Sequence, residues 1–263
     1  MEKDSNTSYI EQTEERNGPT LAVSVLLSKE EWDCVQLLSD LKNDWGIEPD
    51  SADISDIVAI IHTDDAMLTV AHMGFHIPGG EAEEFARFNY LWPDAEEVAR
   101  RHESHLFVFV DVSSDKLNDF EAAKLLTKLV CSCLKQKYAT GVFNDATVLS
   151  PSQYVKFAEP LCDGLFPVGD WVWLGRAEHE GKSGFYTWGL RDFGKEEIEM
   201  FGDEDSDINE MYCRLFNIVS YVMNDDVTLK PGETIGYTDD EKLPITLSKG
   251  WVIDGRTLKI PPR

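Results

Sequence analysis

The residues of this chain best placed to do chemistry are carboxylates crowded into one stretch, with indoles just upstream. Residues 192–210 hold nine acids and one base, Lys195. Among the acids, Asp203, Asp205 and Asp207 alternate as in the first half of an EF-hand calcium loop. The second half does not follow: the sixth position, which needs glycine for its sharp turn, is Ile208, and the twelfth, which needs a bidentate glutamate, is Arg214. Two unit charges about 4 Å apart repel by roughly 1 kcal/mol in water and several-fold more near a protein surface, so such crowding calls for counter-charge. Glu196, Glu197, Glu199, Asp203, Glu204, Asp205 and Asp207 are therefore the expected surface for a basic protein partner. Trp171, Trp173 and Trp188 are the candidate anchors, since indoles within charged rims recur at interfaces.

Other patterns carry less. His72 and His76 have HxxxH spacing, but Gly74 lies between them and Ile77-Pro78 follows, which disfavours the helix that zinc ligation at this spacing needs. His102 and His105 straddle an expected helix-to-strand junction. Cys131 and Cys133, two apart on an expected helix, point to different faces and are expected in or near the core. No GxSxG, no GxxxxGK[ST] and no GxGxxG after a strand is present, so neither an activated serine nor a phosphate cradle is indicated. The expectation is no catalytic residue, no metal and no cofactor.

Charge bounds the partners. The chain of 263 residues has 49 acidic and 24 basic side chains, a formal net charge of -25 and a pI near 4.5. Nucleic acid and anionic membrane are poor direct ligands, because both depend on a basic footprint, and neither is expected as a partner. With 42% hydrophobic and 11% aromatic residues the chain has the material for a sizeable core. The five cysteines form no CxxC pair and sit mostly among apolar neighbours, the pattern of reduced thiols. The N-terminus has no basic start and no apolar h-region, and Asp64 and Asp65 interrupt the most apolar early segment, so a cytoplasmic location is expected.

The elements that must position these residues follow from periodicity. Residues 1–19 are polar and aperiodic, a mobile acidic tail ending at Gly18-Pro19. Residues 21–27 (LAVSVLL) predict a strand. Ser28 and Glu31 have capping-box spacing ahead of a helix with Trp32, Val35, Leu38 and Leu41 on one stripe, ending at Gly46. Residues 57–61 and 67–73 predict a hairpin, 81–102 an acidic helix interrupted near Pro93, and 106–112 (LFVFVDV) a central strand, apolar on both faces. A helix over 120–138 and short strands at 142–143 and 148–149 complete a split βαβ, ferredoxin-like order with additions. A helix over 152–161, strands over 171–179 and 185–190 joined by a 180–184 turn, a strand at 197–201, a helix over 208–223 and closing strands near 234–236, 244–247 and 257–260 follow. The expected fold is α+β with mixed sheets: a ferredoxin-like lobe over 20–150 packed against a second α+β lobe over 151–263, as one compact unit.

The segments DIVAIIHTDDAMLTVAHMGFHIPGGEAEEFARFNYLWPDA, GVFNDATVLSPSQYVKFAE, FPVGDWVWLG, GFYTWGLRDFGKEEIEM and DVTLKPGETIGYTDDEKLPI resemble the bacterial domain of unknown function family 4261, over most of the chain from about residue 57. The TWGLRDFGKEEIEM block is also similar to a segment of SuFu-like bacterial domains, whose members often serve as immunity proteins against toxins. The resemblance implies a bacterial cytoplasmic protein without an assigned reaction and supplies no catalytic residue.

The function expected is that of a non-enzymatic acidic binding protein, an immunity protein that neutralises a basic toxin such as a nuclease. A hydrolase or metal-dependent enzyme of unknown substrate is one alternative, and a self-associating structural subunit is another.

Overall fold

A computed structural model describes residues 21–112, 117–236, 238 and 240–262. The expected tail over 1–19 lies outside them. The described chain divides into two compact units, with the division in sequence between Trp171 and Val172. The expected boundary at 150/151 falls inside the first unit, because the helix that follows it packs on first-unit elements.

The first unit contains β1 (Ala22–Leu27), α1 (Cys34–Trp45), β2 (Ser51–Ile54), β3 (Val58–His62), β4 (Met67–Met73), α2 (Glu81–Ala86), α3 (Ala95–Arg101), β5 (Ser104–Asp111), α4 (Asp119–Cys133), β6 (Ala139–Phe143), β7 (Val148–Leu149), α5 (Pro151–Ala158) and α6 (Val168–Trp171). Its sheet runs β2-β3-β4-β5-β1-β6-β7, and every neighbouring pair is antiparallel. The inner four, β4-β5-β1-β6, with α1 and α4 as the crossovers, have the split βαβ order; β2, β3 and β7 extend it. Leu106, Val108 and Val110 of β5 are buried on the face where α4 packs, so β5 is central as its composition requires. The opposite face, at the β1-β6-β7 end, is covered by α2 and α3 through Leu26, Ala82, Ala86, Ala95, Ala99 and Phe143. Helix α5 packs against α4 and β6, which moves the boundary.

Helix α1 starts later than expected. Ser28 donates its N–H to the Tyr138 carbonyl (2.9 Å) and is not a cap. Asp33 is the cap, accepting from the Val35 and Gln36 amides at 2.9 Å each. The Gln136 side chain clamps Asp33, accepting from its N–H (2.6 Å) and donating to its carbonyl (3.0 Å). Gly46, at φ 65°, ends the helix as expected.

The second unit contains β8 (Trp173–His179), β9 (Lys182–Trp188), β10 (Ile198–Gly202), α7 (Ile208–Asn224), β11 (Thr234–Ile235), β12 (Leu243–Pro244), β13 (Thr246–Lys249) and β14 (Arg256–Lys259). A five-stranded sheet runs β13-β14-β10-β9-β8, antiparallel except for the parallel β10–β14 pair, and β11 pairs with β12 separately. Helix α7 packs on β9 and buries Met211, Leu215, Ile218, Val219 and Val222, the stripe its period predicts. Each such side chain contributes about 1.5–3 kcal/mol. Both units are α+β.

Candidate functional site

The acidic region is built by strand register. In the second unit Glu178 pairs with Ser183, and Ser183 with Gly202, so the β8–β9 turn and the β10–α7 loop emerge from one end of the sheet. The turn is tighter than expected, with only Glu180 and Gly181 between the strands. Both have positive φ (47° and 78°), as a two-residue hairpin requires. Exposed Glu178, Glu180, Asp203, Glu204, Asp205 and Asp207 thus gather at one edge with Lys182, whose Nζ lies 3.2 Å from Asp203. Asp207 accepts from the Asn209 and Glu210 amides (2.8 and 3.2 Å), so one carboxylate of the would-be calcium loop is the N-cap of α7. Glu196 is also exposed.

Two expected interface acids are not on the surface. Glu197 and Glu199 are fully buried. Glu197 accepts from Thr187 Oγ1 (2.6 Å), the Gly189 amide (3.0 Å) and the Arg191 amide (3.2 Å). Burial raises its carboxyl to about 7, although these donors and the Arg191 charge pull it down. Glu199 accepts from the amides of Trp251 (2.8 Å), Val252 (2.9 Å) and Ile253 (3.1 Å), and Lys259 Nζ lies 3.0 Å away. Burial alone would raise its pKa, but those donors hold it below the ordinary carboxylate value. These two acids knit β10 to neighbouring turns. They alternate with buried Ile198 and Met200, because a strand between β9 and β14 has no solvent face here.

The tryptophans are corrected likewise. Trp173 is 5% exposed. Trp188, half-buried, packs with Tyr186, Phe201, Val252 and Ile253. Trp171 is no strand residue: it ends α6 in the other unit and donates Nε1–H to Thr127 Oγ1 at 2.9 Å.

The histidines do converge, in the first unit. The rings of His76 and His102 stack at 3.8 Å, and His105 is edge-on to His102. His102 Nε2 accepts from the Ile77 amide (2.9 Å) while Nδ1 donates to the Ala99 carbonyl, which fixes a neutral tautomer; burial lowers its pKa to about 4. With both nitrogens committed it is a packing residue. Among the described residues, no group of three or more His, Cys, Asp or Glu is arranged to hold a metal ion. His72 Nε2 lies 3.3 Å from Ser104 Oγ, a nucleophile–base distance, yet Ser104 is fully buried and its hydroxyl donates to the Lys29 carbonyl (3.0 Å). His72 is therefore the donor in that pair and cannot act as base toward the serine. Cys131 and Cys133 are buried with thiols pushed up by desolvation, whereas Cys162 and Cys213 are exposed.

Sequence reasoning missed Asp170, which is 2% exposed and whose two carboxylate oxygens have no hydrogen-bond partner among the described residues. Burial pushes its pKa well above the ordinary value. Nothing in VGDW distinguishes it from a surface acid. The 192–210 window also left out Glu178 and Glu180, which only the strand register brings in. The larger charge surplus lies elsewhere: residues 1–171 hold 31 acidic and 13 basic side chains, against 18 and 11 in residues 172–263.

No helix among the described residues is long and apolar enough to cross a membrane. No curated protein and no solved structure matches the chain, and nothing in these comparisons supports a SuFu-like relationship. Residues 186–261, which span β10, both buried glutamates, the acidic loop and α7, match a family model. That model is of a domain of unknown function, DUF4261, and the similarity covers this C-terminal segment alone.

Proposed function

We propose that this protein is a binding module, without a reaction of its own, that captures a basic protein through the acidic end of its C-terminal unit. The observation carrying the proposal is the strand register that gathers Glu178, Glu180 and the 203–207 carboxylates around one lysine. So many like charges at one edge favour association with a cationic surface and steer it from a distance. Glu196 is exposed on the same unit but precedes β10, at the other end of that strand from the 203–207 loop, and is no part of this edge; Glu197 and Glu199 are internal braces of the sheet. A nuclease toxin fits this partner chemistry, because holding phosphate requires the cationic surface that an acidic protein mimicking nucleic acid would cover. In that reading the protein acts in the cytoplasm as an immunity factor.

The test is a pull-down from the native host with the wild-type protein and a fourfold variant, Glu180→Gln, Asp203→Asn, Glu204→Gln and Asp205→Asn, which leaves the Asp207 cap intact. A basic protein retained at low salt, released at high salt and lost with the variant is the expected result. Retention unaffected by salt and by the four neutralisations rules the proposal out.

A further inference from the structure

Apart from the acidic edge, the second unit holds a cleft of about 510 Å³ between α7 and the β11–β12 hairpin. Its volume falls within the few-hundred to thousand Å³ range of small-ligand sites. Ile218, Val227, Leu229, Ile235, Leu243 and Ile245 give it apolar walls. The hairpin wall is pinned by backbone hydrogen bonds, the Gly232 amide to the Ile245 carbonyl and the Ile245 amide to the Glu233 carbonyl, each 2.9 Å. The far side is the continuous helix α7. The Val227 amide, bonded to the Val222 carbonyl at 3.0 Å, turns the chain back across the helix end. The cleft is thus preformed by packed elements and needs no rearrangement to open.

Its polar groups set the preference for charge. Arg214 is the cation among the described lining residues, and its side chain is only 7% exposed. Nη1 lies 2.7 Å from Glu241 and Nη2 lies 3.3 Å from Glu210, so both guanidinium arms face carboxylates. Glu233 is the acid among the described lining residues, Glu210 and Glu241 standing behind Arg214. With both arms of its guanidinium already held by carboxylates, Arg214 offers little to an anion, which would compete with Glu241 for it while facing Glu233. Tyr221, 47% exposed, also lines the cleft and presents a ring against which a cation is attracted.

We propose that this cleft binds an organic cation, an ammonium or guanidinium carried on an aliphatic body, with the body against the six apolar side chains and the charge toward Glu233 and Tyr221. The site is separate from the acidic edge and does not depend on the partner proposed above.

The probe is n-hexylammonium, titrated into the ¹⁵N-labelled full chain, with hexanoate and hexanol of the same length as controls. The expected result is a set of saturable amide shifts at Arg214, Asn217, Tyr221, Glu233, Ile235 and Leu243, with hexanoate binding at least about tenfold more weakly. Exposed Glu233→Gln should weaken hexylammonium several-fold and leave hexanol unchanged. Ile235→Lys, which places an ammonium in the cleft, should abolish the shifts; if that variant does not fold, the Glu233→Gln comparison decides alone. Equal affinity for hexanoate and hexylammonium, or shifts confined to the 203–207 loop, would overturn the proposal. The fourfold acidic-edge variant should bind hexylammonium as the wild type does, so failure of the cleft and failure of the partner surface read out separately.

Discussion

Replacing Glu199 by glutamine tests whether the acidic run is partly structural. The carboxylate is fully buried on β10, takes three backbone amides from the 251–253 turn and faces Lys259 Nζ at 3.0 Å. Glutamine keeps the shape, and its carbonyl oxygen can still accept from the turn. Its amide nitrogen, however, meets Lys259 donor to donor and leaves a buried ammonium without its counter-charge. Breaking a buried pair by removing one partner costs about 3–5 kcal/mol, and the retained amide contacts bring the expected loss to about 2–4 kcal/mol. Urea unfolding at pH 7, followed by tryptophan fluorescence, measures this directly. Lys259→Met in the Glu199→Gln background removes the stranded ammonium, so the double variant should be more stable than the sum of the single losses by at least about 1 kcal/mol. Because the pKa of Glu199 is held below 4.5, its contribution is present above that value and is lost as pH falls through the folded-state pKa. The difference between wild type and Glu199→Gln should therefore shrink in acid. A loss under about 0.5 kcal/mol at pH 7, the size of an ordinary surface substitution, would refute the reasoning.

Two further predictions concern acids whose burial acts in the opposite direction. Glu197, raised from 4.5 to about 7, holds its proton more tightly in the folded state, so the associated stability is present below pH 4.5 and is lost as pH rises through about 7. Glu197→Gln cannot ionise, and its stability relative to wild type should rise between pH 5 and pH 8 by on the order of 3 kcal/mol, whereas a pH-independent difference would show that the site is not dry. Asp170 is raised well above 3.8 by burial, so Asp170→Asn should gain on wild type as pH rises above the ordinary carboxylate range. A parallel pair of stability–pH curves for wild type and Asp170→Asn would mean that the carboxyl is solvated.

Periodicity carried the elements whose burial is one-sided. The stripe of α7 and the Gly46 stop of α1 were legible in the residue pattern, and β5 is central as expected, although its second apolar face leaves Phe107 38% exposed. The split βαβ order was legible because alternation of strands and helices leaves few topologies open. Strand β2 was not, since SADI lies at the sheet edge with three exposed residues and has no apolar face to betray it. The site was legible only in part. A run of acids gives no sign of which members face inward: Glu197 is held by Thr187 and the Gly189 and Arg191 amides, and Glu199 on β10 by backbone amides from a turn more than fifty residues away, around Trp251, a contact that composition cannot encode. The same holds for Ser28, displaced as a cap by Asp33 because Gln136, distant in sequence, clamps the later residue.

The central claim is that the exposed carboxylates around the β8–β9 turn and the 203–207 loop steer a cationic protein onto this domain. Stopped-flow association with the basic protein retained from the host, run from low to high salt, tests it most directly. The account predicts a wild-type rate constant above the ~10⁵ to 10⁷ M⁻¹s⁻¹ of neutral docking that falls steeply with salt. The fourfold variant should then bind at least about tenfold more slowly at low salt, with a flatter dependence. Identical rates and identical salt slopes for the two proteins would contradict it.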